Sequence, residues 1–243
     1  MRIARGLIVS CQGPPGTRLD DPQVMAAMAA AAESAGAVAI RAEGVADIRA
    51  IKDATSLPVI GLMKRDIDGI RWITPTVDDA KALADAGSDM VAVDMTRRQR
   101  PDGRHAHEML EALLVAVEVP IFADVSILDE GIVAASGGVS AVLSTLSGYT
   151  AYSRQSDEPD VQLVSELVER VDVPVIAEGR YQTSQQVAQA MEQGAHSVVV
   201  GTAITNPIEI TRRFVDAVQR LASTIPELPE ATPAAESNTG RRE

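Results

Sequence analysis

A single-domain (β/α)8 TIM barrel of the α/β class is expected for these 243 residues, on three observations. Short apolar runs opened by Pro58, Pro120 and Pro174 each close on an ionisable residue, as buried parallel strands ending at one active face would. Gly36, Gly87, Gly138 and Gly194 recur roughly 50 residues apart, each stopping a helical stretch and leading into a β-branched run. Interleaving the two series and adding the first apolar run yields eight strands alternating with helices, two βα units per repeat. A doubly wound open sheet would need a Gly-rich nucleotide loop after an early strand, and the sequence has none.

The elements follow in order. Residues 5–11 form the first strand, which ends at Gln12, and Gly13-Pro14-Pro15-Gly16 is a turn. Asp21 supplies an N-cap and Pro22 a first helical residue for an Ala-rich helix to about residue 35. The second strand lies in AVAIRAE (37–43), followed by a short helix over 47–54, and the third in SLPVIGLMK (56–64), closing on Lys64. Further helices are expected over 77–86, 105–117, 126–135, 159–171, 184–193 and 207–222. The barrel is assigned to 1–222. Residues 223–243, rich in Pro, Ala and Glu, read as a disordered tail.

Apolar residues make up 46 % but aromatics only 2 %, so the core must be built from Val, Ile, Leu, Met and Ala. A net charge of −12 argues against nucleic acid or an anionic membrane as partner, and local groups must hold any anionic substrate against the global field. The lone Cys11 rules out an internal disulfide framework and fits a reducing cytoplasm. The N-terminal apolar stretch is too short for a signal peptide, and no run approaches a membrane span.

In such a barrel, polar residues at strand ends converge on one mouth. Here they are Gln12, Arg41, Glu43, Lys64 with Arg65 and Asp66, Asp94, Asp124, Thr145, Glu178 with Gly179 and Arg180, and Gly201 with Thr202. Lys64 is one of three lysines against nineteen arginines and alone closes a buried strand. It reads as an amine that must exchange a proton, as a Schiff-base former, or as the partner of Asp66 in a surface ion pair. Glu178 reads as a site carboxylate or as a salt-bridge partner of Arg180 or Arg41. Lys64 and Glu178, on strands three and seven, would face each other across the mouth. Asp124 could hold a substrate, orient the lysine, or cap the helix starting near Ser126. Gly179 and Gly201-Thr202 stand where such barrels grip an anion with backbone N–H groups. No histidine ends a strand, so no metal site is expected. Cys11 reads as packing, and Tyr149 as a pocket wall or a packed loop residue.

Several stretches match one family in order: LIVSCQ (7–12), AIRAEG (39–44), PVIGLMKRD (58–66), ITPT (73–76) and DMTRRQRPDG (94–103). FADVS (122–126), LSTLSGYT (143–150), VIAEGRY (175–181) and VVVGTAIT (198–205) continue the match. The chain thus resembles the N-acylglucosamine-6-phosphate 2-epimerases, which interconvert N-acetylmannosamine 6-phosphate and N-acetylglucosamine 6-phosphate in sialic-acid catabolism. The resemblance implies a cofactor-independent isomerase. Lys64 would remove the C2 proton and Glu178 would act as partner acid/base. Gln12, Arg41 and Asp124 would position the sugar, with Gly179, Arg180, Gly201 and Thr202 around the phosphate. Partners would be the phosphosugar and, for this architecture, a second copy in a homodimer. Two departures stand out: Asn206 where many members carry arginine, and the first loop, GPPGTRLDD. The rival readings are another phosphate-binding barrel enzyme using Lys64 through a Schiff base, and a non-catalytic phosphosugar-binding protein.

Overall fold

The computed structural model describes residues 3–222, so the expected tail, 223–243, lies outside the described residues. The chain divides into two compact units, residues 1–207 and Ile208 onward. The first unit runs β1 (Gly6–Cys11), α1 (Pro22–Ser34), β2 (Ala39–Glu43), α2 (Gly44–Ala54), β3 (Val59–Leu62), β4 (Lys64–Ile67), β5 (Ile70–Ile73) and α3 (Val77–Asp85). It continues through β6 (Met90–Asp94), α4 (Ala106–Ala116), β7 (Ile121–Asp124), α5 (Leu128–Ser136), β8 (Ala141–Leu143) and α6 (Val161–Arg170). It closes with β9 (Val175–Glu178), α7 (Ser184–Glu192), β10 (Ser197–Val200) and the short α8 (Thr202–Thr205). The last described helix, α9, spans Pro207–Ala222.

Eight parallel strands close in the order β1-β10-β9-β8-β7-β6-β3-β2. Period-two alternation sorts their side chains into two cores. Ile8, Ala39, Ile60, Met90, Phe122 and Ile176 fill the barrel interior. Val9, Ile40, Val91, Ala123, Ala177 and Val198 face outward under the helices. Two residues along from the interior set, the same inward face carries Ser10, Arg41, Asp124 and Glu178. The polar mouth is therefore the top layer of the apolar interior.

The expected caps are present. The Asp21 carboxylate accepts from Gln23 N–H at 2.8 Å ahead of Pro22. Thr76 and Thr183 cap α3 and α7 through the amides of Asp79 (3.0 Å) and Gln186 (3.2 Å). Two expectations need correction. The third barrel strand ends at Leu62, and Lys64 instead opens an antiparallel hairpin, β4–β5, with Lys64 opposite Ile73. SLPVIGLMK reads as one apolar strand because nothing local marks the break. The break is made by Thr74, whose N–H donates to the Met63 carbonyl at 2.6 Å while its hydroxyl accepts from Met63 N–H and donates to Ala92 O at 2.7 Å. Thr74 sits at φ +48°, a costly conformation for a β-branched residue, held by these bonds. Second, α5 starts at Leu128 rather than Ser126, because the Glu130 carboxylate draws Ser126 N–H (2.7 Å) and Ile127 N–H (3.2 Å) out of the helix.

That carboxylate also accepts from Arg97 N–H (2.8 Å), the Ser126 hydroxyl (2.8 Å) and the Tyr152 hydroxyl (2.7 Å). It thereby ties the loops after β6, β7 and β8 together beneath the mouth. Replacing Glu130 by alanine orphans several of these donors, and an unmade buried hydrogen bond costs about 1–3 kcal/mol. Urea unfolding of Glu130→Ala is expected to show a loss of roughly 3 kcal/mol. A midpoint equal to wild type would refute this.

Candidate active site

The mouth is a cavity of about 780 Å³, within the range of small-molecule sites. Gln12, Arg41, Lys64, Glu178, Gly179, Arg180, Gly201 and Thr202 all line it. Asp124 does not; it is fully buried behind the wall.

Arg41 organises the floor. Its Nη1 and Nη2 donate to Asp124 Oδ1 and Oδ2 at 3.0 and 2.7 Å, and Nη1 lies 2.9 Å from Glu178 Oε2. The guanidinium is only 1 % exposed. Burial alone would lower its pKa, but the charges of Asp124 and Glu178 reverse that and raise it, so it stays a cation. Asp124 is thus not a helix cap; its partners are Arg41 and the Thr145 hydroxyl, at 2.6 Å. Arg41 Nε is buried and has no hydrogen-bond partner among the described residues.

Glu178 is held in the opposite state. Burial pushes its carboxyl up to about 7, Arg41 and Lys64 pull down, and the neighbouring Asp124 charge pushes up. A buried carboxyl near neutrality can give or take a proton at physiological pH. It pairs with Arg41, as one reading of the sequence had it, and it also faces the cavity.

Lys64 Nζ lies 2.7 Å from Glu43 Oε2. Its expected rival partner, Asp66, is engaged by Arg71 at 2.7 and 2.8 Å instead. The hairpin turn explains the exchange: Asp66 and Arg71 are opposite one another in the β4–β5 register. Barrel closure sets β3 and β9 four strands apart, and Lys64, carried on the hairpin that follows β3, lines the same cavity as Glu178.

Gly179 adopts φ +109°, a conformation that would strain any side chain, and follows Glu178 directly. Arg180 donates through Nε to Glu158 O at 3.1 Å and stacks over the Tyr149 ring at 5.3 Å. A Cβ at Gly148 would meet that guanidinium at 2.7 Å, so glycine makes the seat for Arg180. Gln12 donates to Ser10 Oγ at 2.6 Å, and Ser10 lines the cavity beside Gly201. Tyr149, 61 % exposed, lines the wall. Cys11 is buried, with its thiol pushed up to about 12 by burial, as a packing residue would be. His196 bonds Ile3 O at 2.7 Å at the far end of the barrel.

Sequence reasoning missed Ser10, Arg71, Arg98 and Gln182, all in the cavity wall. Ser10 had a detectable signal, the inward phase it shares with Ile8. Arg71 and Arg98 had none, since loop and hairpin geometry brings them in. In the lining, five side chains are cationic (Arg41, Lys64, Arg71, Arg98, Arg180) and one, Glu178, is a carboxylate. Carboxylates answer the first four; Arg180 is held by a neutral carbonyl. An acidic chain thus presents a cationic mouth. Among the described residues no group of three His, Cys, Asp or Glu is placed to hold a metal ion.

Residues 25–220 match the family model described as "Putative N-acetylmannosamine-6-phosphate epimerase". A Cutibacterium acnes protein named "Putative N-acetylmannosamine-6-phosphate 2-epimerase" is 47 % identical over 219 residues, 89 % of this chain and 95 % of that one. One of the same name from Caldanaerobacter subterraneus is 46 % identical over 220 residues, 90 % and 93 % of the two chains. The solved structure of the N-acetylmannosamine-6-phosphate 2-epimerase from Clostridium perfringens superposes with a TM-score of 0.84 at 43 % identity, covering 88 % of this chain and 94 % of that one.

The raised Glu178 carboxyl has a stability signature. It binds its proton more tightly in the folded protein than at its ordinary value of 4.5, so it subtracts stability as pH rises from about 4.5 to about 7. Glu178→Gln is expected to flatten that part of the stability–pH curve in denaturant titrations. Asp47, raised to about 6 chiefly by burial, contributes equally to both proteins and cancels in the difference. Parallel curves for the two proteins would refute the assignment.

Proposed function

The chain belongs to the N-acetylmannosamine-6-phosphate epimerase family, and from that membership we propose that it interconverts N-acetylmannosamine 6-phosphate and N-acetylglucosamine 6-phosphate. The observation that carries this reading is the pairing, across one cationic cavity, of an amine and a buried carboxyl near neutrality.

The hydrogen at C2 is acidic only while C1 is an open-chain carbonyl. Lys64 Nζ takes that proton, and the C2–H electrons pass into an enediolate spread over C2, C1 and O1. The protonated Glu178 carboxyl and the positive charge of the Arg41 guanidinium answer the charge that develops on oxygen. Return of a proton to the opposite face of C2 inverts the centre. No electron leaves the substrate, so the chemistry asks for no cofactor. Gln12 and Arg41 orient the sugar, with Asp124 acting through Arg41. The phosphate lies against Gly179, Arg180, Gly201 and Thr202, where Asn206 also lines the wall. A Schiff base on Lys64, or binding without turnover, is favoured by no observation in the cavity.

Proton NMR in deuterated water with N-acetylmannosamine 6-phosphate tests the reading. Wild type is expected to form the gluco epimer with deuterium at C2. Lys64→Ala is expected to lower the rate at least about 100-fold, the lower end of general-base contributions. Neither epimer nor exchange in wild type would overturn the assignment.

A cytoplasmic location is supported by the unpaired Cys11 and the metabolic substrate. Among the described residues no helix is long and apolar enough to cross a membrane. A homodimer is the reading for this architecture, and α9, taken by itself, carries Phe214, Val215 and Val218 on one helical face that needs an apolar partner. Light scattering is expected to give a dimer mass for wild type and a monomer mass for Phe214→Glu/Val218→Glu. A wild-type monomer would refute it.

A further inference from the structure

Two adjacent hydroxyls after β8 grip one residue. Ser144, 2 % exposed, accepts from Glu178 N–H at 3.0 Å and donates to Glu178 O at 2.9 Å. These bonds extend the β8–β9 pairing past its last register pair, Leu143 and Ile176, and fix the Glu178 backbone. Thr145, the next residue, reaches the carboxylates: its Oγ1 is 2.6 Å from Asp124 Oδ1 and 3.1 Å from Glu178 Oε2.

A hydroxyl has one proton and two lone pairs, so Thr145 can donate to only one carboxylate at a time. The 2.6 Å contact has the length of an O–H···O⁻ bond, and the 3.1 Å contact does not. Asp124 is committed as an anion by its bidentate pairing with Arg41. The Thr145 proton therefore belongs to Asp124. A bond donated by Thr145 to Glu178 would favour the carboxylate, but with its one proton on Asp124 what Thr145 turns to Glu178 Oε2, the oxygen that also faces Arg41 Nη1, is a lone pair, which attracts a protonated carboxyl and repels an ionised one.

We infer that Thr145 is a positioning residue that holds Glu178 in its acid form, by giving its own proton to Asp124 and accepting one from Glu178. The other charged groups that act on Glu178 divide. Arg41, from β2, and Lys64, from β4, favour the carboxylate, while Asp124, from β7, favours the acid. Thr145 adds to the acid side, keeping on Glu178 the proton that turns from Thr145 to the substrate oxygen when Lys64 takes the C2 proton. The catalytic consequence rests on the epimerase reading above; the hold on the Glu178 proton does not.

The test compares wild type, Thr145→Val, which keeps the shape and removes the hydroxyl, and Thr145→Ser, which keeps the hydroxyl. Two quantities are read on the full chain: the pH profile of kcat/KM with N-acetylmannosamine 6-phosphate, and the ¹³C carboxyl titration of Glu178 without substrate, assigned by its loss in Glu178→Gln. Activity that needs protonated Glu178 falls as pH rises through its ionisation. In Thr145→Val both the basic limb and the titration are expected to move down by about one on the pH scale, the worth of one net hydrogen bond to the acid form. Thr145→Ser is expected to follow wild type in both. Coincident titrations for Thr145→Val and wild type, or a Thr145→Ser titration displaced like that of Thr145→Val, would overturn the inference. A downward-shifted titration in Thr145→Val with no turnover in wild type would support the hold on Glu178 and overturn the substrate assignment alone.

Discussion

A guanidinium sealed inside a barrel mouth is a demanding thing to keep. Arg41 is 1 % exposed, and stripping water from such a group costs several kcal/mol unless it is answered by charge and hydrogen bonds together. The answer is Asp124, bidentate and fully buried, with Glu178 on the flank. Burial first, and then the neighbouring Asp124 charge, push up the carboxyl of Glu178, the more exposed of the two, so that it holds a proton near neutrality. Asp124 anchors the cation, and Glu178 becomes the group with a proton to exchange. The functional asymmetry of two similar side chains follows from how many Arg41 bonds each receives.

The surroundings preserve that arrangement. Ser144 fixes the Glu178 backbone, Thr145 bridges the carboxylates, and Glu130 stiffens the loops beneath. Lys64 rides on a hairpin rather than on a barrel strand, and Glu43 steadies its amine at 2.7 Å. The mouth thus has a rigid acid side built on barrel strands and a lysine side carried by a two-stranded flap whose base is the strained Thr74. The cationic lining sits against a chain charge of −12, so attraction of an anion is a local property of the cavity.

Much of this was readable in the residues, for definite reasons. Helix-ending glycines such as Gly87 and Gly138 adopt φ +101°, a geometry that few other residues tolerate, so they punctuate the chain visibly. Proline-led runs reveal strands because they are apolar on both faces in a sheet covered inside and out. The inward phase of Arg41, Asp124 and Glu178 follows from alternation with Ala39, Phe122 and Ile176. The hairpin escaped because its signal, Asp68-Gly69, sits between charged residues without strand alternation, and because Thr74 needs contacts with Met63 and Ala92 to hold its conformation. The exchange of partners between Lys64 and Asp66 escaped with it.

The residues alone settled the periodic features: the eight barrel strands, the helices between them, and, Lys64 excepted, which ionisable groups arrive at the strand ends. Each depends on neighbours close in sequence or on a fixed repeat. Family membership was legible for the same reason, since motifs such as GLMKRD and AEGRY are contiguous. Pairing and protonation were decided by the fold. Arg41 meets Asp124 across 83 positions of sequence, and Thr145 meets Glu178 across 33. Whether a carboxyl near such partners is charged depends on burial and on the count of donors and acceptors around it, and those quantities exist only once the barrel has closed.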